Sequence, residues 1–321
     1  MNNRKIIHWV DTQGEREGIV PGIVTLTMNP AVDKSASVDH VTPERKLRCK
    51  EPHFDPGGGG INVARAIHKL GGKALALYPA GGPSGEVLKM LLEDEGCPQK
   101  PFPSQNWTRE NLTVYEETSD REFRFTMPGA VLTEEEWRRC LDMLSELDPK
   151  PDFVVASGSL SPGVPDDFYG QVTERAQGFG ARFILDSSGA PLKKALGKGL
   201  FLIKPNLREL EDLTGNTVQE DGRLADAVRG LVEKGKSEVV VVSMGAAGVF
   251  AAWKEGSIRL RAPTVPIKSR VGAGDSMVAG IVLRLSQGKS LSDALRFGLA
   301  SGAAAVMSPG TALCAREDTE R

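Results

Sequence analysis

A run of small residues precedes an apolar helical segment near the C-terminal end of the sequence. Gly272, Ala273, Gly274 and Asp275 come shortly before the run Met277–Leu285. Small residues let backbone N–H groups converge at the first turn of a helix, where the helix dipole favours negative charge. A transferring phosphoryl group would be held there, and Asp275, kept ionised by the same dipole, could accept a proton from a hydroxyl. The alternative is that Asp275 only caps the helix.

Four consecutive glycines, Gly57–Gly60, stand before a second helical segment that contains Asn62. Ordering four glycines is unfavourable because each of them loses much chain entropy. A polyol that docks against exposed backbone needs such a surface, and the Asn62 amide can contact hydroxyl groups. These residues therefore indicate a sugar-like ligand, although a tetraglycine can also belong to an ordinary loop.

Oxygen-bearing side chains occur at a predicted strand-to-helix junction, in the segment Lys204–Glu209. Open α/β sheets place their ligands at such junctions. Asn206 and Glu209 lie three residues apart and can present oxygens to one point, which suits Mg²⁺ directly or through its waters. The same pair would also form a helix cap. The segment Ser243–Gly248 is a further glycine-rich turn after a strand, and it is ordinary by itself.

Lys46, Arg48 and Arg109 lie on or beside two segments that interrupt the regular pattern of the chain. A solvated charged surface is the default for such residues. If the two segments fold over the carboxyl edge of the sheet, however, these cations point at the same pocket as the glycine turns. A pocket with two anion sites suits a phosphate donor and a phosphorylated acceptor, which favours a kinase acting on a sugar phosphate.

Short β-rich runs alternate with helical stretches along most of the chain. Ile23–Met28 is a predicted strand, Asn62–Leu70 a predicted helix, and Thr133–Glu136 a capping box that begins another helix. The run Val239–Val242 lacks polar alternation, which is typical of a strand covered on both faces. Strands separated by helices predict right-handed βαβ units. We expect an α/β fold whose mostly parallel sheet is covered by helices on both faces.

Two polar segments break this alternation. Lys34–His53 is strand-like without a helix, and Leu112–Glu117 and Glu122–Met127 form a predicted hairpin. Both are insertions on the α/β core that can pair into a small separate sheet, although they can also be two unrelated surface loops. We therefore predict a flexible N-terminal extension of residues 1–21, a core of residues 22–33, 54–108 and 129–321, and a β lid of residues 34–53 and 109–128.

Composition excludes several classes of protein. The 40 basic residues nearly balance the 42 acidic ones, for a formal net charge of −2, which argues against a protein whose main task is to coat nucleic acid. No apolar run approaches the ~18–20 residues that a membrane span needs. The 4 cysteines are scattered without metal-ligand spacing, which favours reduced thiols and a cytoplasmic location.

Several known motifs are absent from the sequence. It contains no GxxxxGK[ST] P-loop, no HRD or DFG motif of protein kinases and no GxSxG elbow. The first predicted strand runs into Asn29–Asp33 without the glycine-rich turn of dinucleotide-binding proteins. A nicotinamide oxidoreductase is therefore disfavoured.

From about Gly22 to its C-terminus, the chain resembles the PfkB (ribokinase-like) carbohydrate kinase family. Within that family it is most similar to the second-isoenzyme type of bacterial 6-phosphofructokinase. The resemblance rests on five motifs in order: Asn29–Asp33, Gly57–Asn62, Lys204–Asn206 with Glu209, Ser243–Gly248 and Gly272–Asp275. The supporting segments are Lys46–Cys49, Pro56–Ala66, Trp107–Arg109, Met127–Ala130 and Ser157–Leu160. The related 1-phosphofructokinases usually carry a Lys inside the glycine run, where this sequence has only glycines.

The resemblance implies a role for each matching residue. Asp275 is implied to be the base, with Gly272, Ala273 and Gly274 forming an anion hole. The implied sugar-phosphate ligands are Asp33, Gly57, Gly58, Asn62, Ser159, Arg109 on the existing phosphate and Lys46 near the phosphate being moved. The implied nucleotide-binding residues are Lys204, Asn206, Ser243, Gly245, Gly248 and Gly274. The implied metal ligands are Asn206 and Glu209 for Mg²⁺, directly or through water, and Ser269, Val271, Ser308 and Gly310 for a monovalent cation.

The resemblance further implies an ATP-dependent kinase that uses Mg²⁺, with K⁺ as a candidate second cation, and phosphorylates the C1 hydroxyl of fructose 6-phosphate. The inserted sheet is implied to be a lid that pairs two subunits into a homodimer. We expect no nucleic-acid or membrane partner. Tagatose-6-phosphate kinases and 1-phosphofructokinases share the pattern and stay open as alternatives. A non-catalytic sensor of sugar phosphates or nucleotides is an alternative of another class.

Overall fold

The computed structural model describes residues 22–218 and 221–321, so the predicted N-terminal extension, residues 1–21, lies outside the described residues. The strands are β1 (Ile23–Leu26), β2 (Ala31–Val38), β3 (His53–Gly57), β4 (Leu75–Ala80), β5 (Gln99–Pro103), β6 (Arg109–Glu116), β7 (Arg121–Phe125), β8 (Phe153–Ser157), β9 (Arg182–Asp186), β10 (Leu202–Ile203), β11 (Val239–Ser243), β12 (Val249–Trp253) and β13 (Gly256–Leu260). The α-helices are α1 (Gly59–Lys69), α2 (Gly82–Asp94), α3 (Glu134–Glu146), α4 (Phe168–Gly178), α5 (Gly189–Ala195), α6 (Leu207–Thr214), α7 (Asp221–Glu233), α8 (Ala273–Ser286), α9 (Leu291–Met307) and α10 (Arg316–Glu320).

Within the described residues, nine strands form one large sheet in the order β13-β12-β11-β10-β9-β8-β1-β4-β5. The strands from β11 to β5 are parallel, and β12 and β13 add antiparallel pairs at one edge. The predicted mostly parallel α/β sheet is confirmed. Strand β5, which the sequence analysis did not predict, lies at the other edge and contains Pro101 and Pro103. Prolines are tolerated at an edge because they lack the N–H that a central strand must donate.

Helices cover both faces of the large sheet. One layer contains α1, α2, α8 and α9, and the other contains α3 to α7. Alternate valines of β11 pack into the two layers, which explains its unbroken apolar run. The capping box predicted at Thr133–Glu136 is present at the start of α3. No helix in the described ranges has both the length and the apolar character needed to cross a membrane.

A second, smaller sheet contains β3, β2, β6 and β7 in that order, again counting only the described residues. Strand β2 pairs antiparallel with β3 and parallel with β6, and β6 pairs antiparallel with β7. The small sheet predicted from the two insertions is therefore present. It extends further than the predicted lid segments, because the pairing of β2 with β3 continues to Ala31 and Gly57. Asp33 consequently lies on the small sheet, opposite Asp55.

Helices α8 and α9 pack against each other with their backbones unusually close. A Cβ atom on Gly280 would lie 2.4 Å from Ser301 Oγ, and one on Gly298 would lie 2.7 Å from the Met277 carbonyl oxygen. Larger side chains at either glycine would push the two helices apart. The tight pair fixes the position of α8, whose first turn lies at the carboxyl edge of the large sheet.

Candidate active site

Asp275 lies in the first turn of α8. Gly272 caps this helix in the left-handed conformation, with φ 72°, which favours glycine. A Cβ atom at Gly272 would also lie 2.3 Å from the Leu313 side chain. With Ala273 and Gly274 following, small residues line the start of the helix. Its backbone amides can therefore face an anion without obstruction by side chains.

Both carboxylate oxygens of Asp275 accept a hydrogen bond. The Ser157 hydroxyl donates to Oδ1 at 2.9 Å, and Asn62 Nδ2 donates to Oδ2 at 3.0 Å. The three residues come from α8, the end of β8 and α1, so the site forms where these elements meet. Asn62, which we expected to contact ligand hydroxyls, thus holds Asp275 with one of its N–H groups. Ser157 was not predicted to contact Asp275, although its position as the polar end of a buried strand was an available signal.

Asp186 and Lys204 form a buried ion pair beside Asp275. Lys204 Nζ lies 3.2 Å from Asp186 Oδ1, and a Cβ atom on Gly274 would lie 3.3 Å from the same nitrogen. Burial alone would lower the pKa of Lys204, but attraction to Asp186 and Asp275 outweighs burial and raises it. The ammonium group predicted to line the nucleotide is therefore held by a carboxylate next to the anion-binding turn. Asp186, the last residue of β9, was not predicted.

Burial raises the pKa of Asp275 to about 6, and the like charge of Asp186 adds to the increase. Hydrogen bonds from Asn62 and Ser157 and the charge of Lys204 act in the opposite direction. Burial thus outweighs the helix dipole, which we expected to dominate. The carboxyl is still mostly ionised at pH 7, because its pKa lies about one unit lower. It can therefore accept a proton near neutral pH.

The four glycines Gly57–Gly60, the last two of which begin α1, are needed for close packing. A Cβ atom on Gly57 would lie 2.3 Å from the Asp33 carboxylate, and one on Gly60 would lie 2.2 Å from the Leu26 carbonyl oxygen. These outer two glycines are buried, and the central two are half-buried. The exposed backbone surface predicted for a polyol is therefore smaller than expected, because most of the run packs against neighbouring strands.

Asp33 lies beside a small cavity between the small sheet and the loops that contain Val271 and Gly310. The cavity has a volume of about 180 Å³. Asn111 Nδ2 donates to Asp33 Oδ1 at 2.8 Å. Burial raises the pKa of Asp33, although this hydrogen bond and the charge of Arg109 oppose the increase. The structure thus brings one predicted sugar ligand and two predicted cation ligands to a single cavity.

The Arg109 guanidinium contacts two backbone carbonyl groups. Nη1 donates to the Met127 carbonyl oxygen and Nη2 to the Asn29 carbonyl oxygen, both at 3.1 Å. Its Nε is buried and has no hydrogen-bond partner within the described residues. Burial lowers the pKa of Arg109, while the charge of Asp33 opposes the decrease. Arg109 therefore has an N–H group left for a further acceptor.

The two remaining predicted sugar-phosphate ligands are exposed. The Ser159 hydroxyl accepts a hydrogen bond from Asn29 Nδ2 at 3.0 Å, and Asn29 Oδ1 is buried with no partner among the described residues. Lys46 lies between β2 and β3 and makes no hydrogen bond or ion pair in the part of the chain that the structure describes. Ser159 thus belongs to the Arg109 side of the site, whereas Lys46 is exposed on the segment between β2 and β3.

Asn206 and Glu209 form a capping box at the start of α6. Asn206 Oδ1 accepts from the Glu209 amide at 3.0 Å, and Glu209 Oε2 accepts from the Asn206 amide at 2.8 Å. The helix cap that we left open as an alternative is therefore present. Burial raises the pKa of Glu209. Residues 22–218 and 221–321 contain no cluster of three or more His, Cys, Asp or Glu side chains that could hold a metal ion by itself.

The Ser243–Gly248 turn lies next to this cap. The Ser243 amide donates to the Pro205 carbonyl oxygen at 3.0 Å, and Asn206 forms an isolated β-bridge with Ser243. Gly248 has φ 93°, and a Cβ atom there would lie 2.0 Å from the Leu260 carbonyl oxygen. The structure thus brings together, along the carboxyl edge, most of the residues predicted to bind a nucleotide.

The residues predicted to bind a monovalent cation lie on two adjacent segments. The amides of Lys268 and Ser269 both donate to the Val306 carbonyl oxygen. The Val271 amide donates to Ser269 Oγ at 3.2 Å. Ser308 caps the C-terminal end of α9, two residues after Val306. These contacts place Ser269 and Val271 beside the segment of Ser308, and cation binding there stays a prediction.

Residues 22–318 match the model of one protein family, described as pfkB family carbohydrate kinase. The chain belongs to this family. The match starts where the sequence resemblance starts, at Gly22, and it contains every residue selected for the candidate site. The pfkB resemblance inferred from the five motifs is thereby confirmed.

Within the pfkB family the chain is similar to several characterised proteins. ATP-dependent 6-phosphofructokinase isozyme 2 of Mycobacterium tuberculosis is 46% identical over 301 residues, which cover 94% of this chain and 88% of the relative. The 1-phosphofructokinase of Xanthomonas campestris is 34% identical over 266 residues, covering 82% and 83%. The crystal structure of Escherichia coli phosphofructokinase-2 with fructose-6-phosphate gives a TM-score of 0.88 at 42% identity, covering 94% of this chain and 97% of that chain. A complex of the same protein with potassium gives a TM-score of 0.89 at 44% identity, with the same coverage.

This arrangement can couple proton removal to phosphoryl transfer. An ionised carboxylate held at both oxygens lies beside a helix start that favours negative charge. A hydroxyl between them would lose its proton to Asp275 while the phosphoryl group it attacks is stabilised by backbone amides.

A larger cavity of about 1060 Å³ lies around Phe201 and Trp253, on the side of the large sheet opposite its carboxyl edge. None of the predicted site residues line this cavity.

The substitution Asp275→Asn tests the cost of burying this carboxylate. The pKa of Asp275 rises from 3.8 to about 6 on folding, because burial favours the protonated carboxyl. Its contribution to the free energy of unfolding is therefore fully present below about pH 4, and it is lost as the pH rises through 6. At pH 8 the variant should be more stable than the wild type by up to ~3 kcal/mol, with a smaller difference at pH 5. Urea unfolding followed by circular dichroism at both values measures this. The control is Asp293→Asn, in the first turn of α9, and an Asp275 variant that is less stable at pH 8 would contradict the expectation.

Proposed function

We propose that this protein is an ATP-dependent 6-phosphofructokinase, which transfers the γ-phosphate of ATP to the C1 hydroxyl of fructose 6-phosphate. The observation that carries the proposal is the Asp275 carboxylate, which Ser157 and Asn62 hold at the start of α8. Membership of the pfkB family and 46% identity to a relative named as this enzyme support it.

Asp275 is the general base in this proposal. The C1 oxygen forms a bond to the γ-phosphorus, the bond from that phosphorus to the β–γ bridging oxygen breaks, and ADP leaves with the electron pair. The hydroxyl proton passes to the Asp275 carboxylate. Backbone amides of Gly272, Ala273 and Gly274 stabilise the transferring group. Positioning and charge neutralisation supply most of the acceleration in such reactions.

The sugar phosphate binds on the side of the small sheet. The proposed ligands are Asp33, Gly57, Gly58, Asn62, Ser159, Arg109 and Lys46. Arg109 is suited to the existing phosphate, because its buried Nε lacks a partner in the described residues and an anionic oxygen would satisfy it. Lys46 contacts the transferred phosphate only if the exposed segment between β2 and β3 folds over the site.

The nucleotide binds along the carboxyl edge, near α6. The proposed contacts are Lys204, Asn206, Ser243, Gly245, Gly248 and Gly274, with Lys204 acting through its ion pair with Asp186. Asn206 and Glu209 would hold Mg²⁺ through water, because Glu209 Oε1 takes no part in the helix cap. When bound, Mg²⁺ would neutralise charge on the phosphates.

A monovalent cation binds near the start of α8 in this proposal. The proposed ligands are oxygens of Ser269, Val271, Ser308 and Gly310. The neighbouring Thr311 Oγ1 is buried without a hydrogen-bond partner in the described part of the chain, and offers one more oxygen. Potassium is the candidate ion, because a related protein has been crystallised in complex with potassium.

The small sheet is the proposed lid of the site and the proposed interface of a homodimer. Partly exposed apolar side chains on or beside it support this assignment, namely Leu47, Phe54, Tyr115, Phe125 and Met127. Covering the site would exclude water and limit hydrolysis of ATP. The proposed lid consists of residues 34–53 and 109–128, and strands β2 and β3 extend beyond these bounds toward the core.

Two other functions use the same residues. A tagatose-6-phosphate kinase or a 1-phosphofructokinase would perform the same chemistry on another ketose phosphate, but the relative named as the latter is less similar, at 34% against 46% identity. A non-catalytic sensor would not need an ionised carboxylate held at both oxygens.

A coupled ADP-release assay tests the function directly. With ATP and Mg²⁺ present, we expect the highest kcat/KM with fructose 6-phosphate, and lower values with tagatose 6-phosphate and fructose 1-phosphate. A higher kcat/KM with either of the other sugars would identify that sugar as the preferred substrate instead. Binding of a sugar phosphate without ADP release from any of them would identify a sensor.

Asp275→Asn should lower kcat by roughly 10²-fold or more, because the general base is lost. The KM values should change little, since Asn keeps the shape of the side chain. Asp293→Asn removes a first-turn carboxylate from the neighbouring helix and should retain wild-type kcat. Turnover of the Asp275 variant within about threefold of the wild type would refute its assignment as the base.

Arg109→Ala should chiefly raise the KM for the sugar phosphate, by about 10- to 100-fold, because a charge-assisted hydrogen bond is lost. The KM for ATP should stay near the wild-type value. The control is Arg138→Ala, an exposed arginine on α3. An increase confined to the KM for ATP would place the acceptor phosphate elsewhere.

A further inference from the structure

Arg65 is the largest fully buried side chain of the described residues, with 1% of its surface exposed. It lies on α1, one turn after Asn62, and the sequence analysis gave it no role. Burying a guanidinium is unfavourable unless acceptors surround it. The set of acceptors therefore shows what this charge holds in place.

The acceptors come from three different elements. Arg65 Nε and Nη2 donate to both carboxylate oxygens of Glu95, at 2.8 and 2.5 Å. Nη2 also donates to Asp55 Oδ1 at 3.3 Å, and Nη1 donates to the Pro56 carbonyl oxygen at 2.8 Å and to Asn62 Oδ1 at 3.4 Å. We call these five residues the Arg65 network. It joins the end of α2, strand β3 of the small sheet and the residue that contacts Asp275.

The contact with Asn62 determines which way its amide points. A guanidinium can only donate hydrogen bonds, and an ionised carboxylate can only accept them. The amide oxygen of Asn62 must therefore face Arg65, and its nitrogen must face Asp275. A flipped amide would bring its oxygen next to the Asp275 carboxylate and lose both bonds.

The contacts with Asp55 and Pro56 reach the other side of the site. Asp55 pairs directly with Asp33 across β2 and β3, and Pro56 pairs with Val32. The single guanidinium thus joins β3, the neighbour of the strand that carries Asp33, to the amide that holds Asp275. None of the other described contacts of Asp275 has this link to the small sheet.

We propose that Arg65 is a positioning residue: it fixes the Asn62 amide, and through it the Asp275 carboxylate, in register with the strand of the small sheet that bears Asp33. The inference rests on the proposed kinase function. It predicts that Arg65 affects the state of Asp275 although the two side chains do not touch.

The surroundings of Asp275 make this effect measurable. The charged groups that face it are Asp186 and Lys204, and the hydrogen bond from Asn62 lowers its pKa. From α9, the small residue Gly302 packs against Ala273. Beyond Ser276, burial raises the pKa of the Cys314 thiol, which keeps it neutral. Loss of the Asn62 hydrogen bond would therefore raise the pKa of Asp275.

The test compares Arg65→Lys and Arg65→Gln with the wild type. We expect kcat at pH 7 to fall by about 10-fold or more, because the base is misplaced, and the acidic limb of the kcat–pH profile to move to higher pH. The KM for ATP should stay near the wild-type value. Leu144→Ala, at a buried position of α3, controls for lost stability: it should lower the melting temperature without moving the acidic limb of the profile.

A second measurement does not depend on turnover. The Asp275 carboxyl can be titrated by ¹³C NMR, with its signal assigned from its loss in Asp275→Asn, and the Arg65 variants should show a higher pKa than the wild type. If the wild type releases no ADP, the proposed function fails while this titration still tests the inference. Arg65 variants with wild-type kcat and an unchanged Asp275 pKa would overturn it, as would failure of Arg65→Lys to fold, because either result would leave Arg65 a purely structural role.

Discussion

The Asp275 carboxylate must stay charged in a place from which the protein removes most of the water. Removing an isolated ion from water costs several kcal/mol even after the protein relaxes. Here two hydrogen-bond donors, the start of a helix and the Lys204 ammonium offset that cost, while Asp186 adds to it. A pKa of about 6 is the balance between these effects. Near neutrality, this balance leaves the group charged but able to take up a proton.

This balance requires elements distant in sequence to meet within hydrogen-bond distance. The end of β8, the start of α1 and the start of α8 converge because glycines remove the side chains that would separate them. At each position of the Gly57–Gly60 run, an added Cβ would lie less than 3.0 Å from backbone or side-chain atoms of neighbouring segments. On the far side of α8, Gly280 and Gly298 let α9 pack closely. The glycines thus serve packing first, and accessible backbone amides are available mainly at Gly272–Gly274.

The sequence predicted the main architecture well, because alternating strands and helices have distinct periodicities and because βαβ units have one favoured handedness. It did not predict strand β5, whose two prolines are unfavourable in a central strand and became acceptable only at an edge. It also did not predict that the small sheet extends beyond the lid segments, since the extent of β2 and β3 depends on their mutual pairing.

The candidate site was predicted only in part, because some of its contacts depend on tertiary structure. Asp275 and Asn62 were recognisable from their neighbours in sequence, and they lie together. The roles of Ser157, Asp186 and Arg65 were missed because their partners come mostly from distant parts of the chain. The raised pKa of Asp275 depends on Asp186 and on burial, neither of which local sequence reveals. The role of Lys46, which is exposed on the segment between β2 and β3, stays a prediction.

After β1 the chain leaves the large sheet and enters the small sheet as β2, which carries Asp33, whereas Asp275 lies on α8 in the core. Asp33 and Asp275, the proposed acceptor ligand and base, therefore belong to different structural units, and the distance between them depends on how the small sheet packs on the core. If a second subunit covers the apolar outer surface of the small sheet, dimerisation also sets that distance. Protein concentration would then influence turnover per subunit.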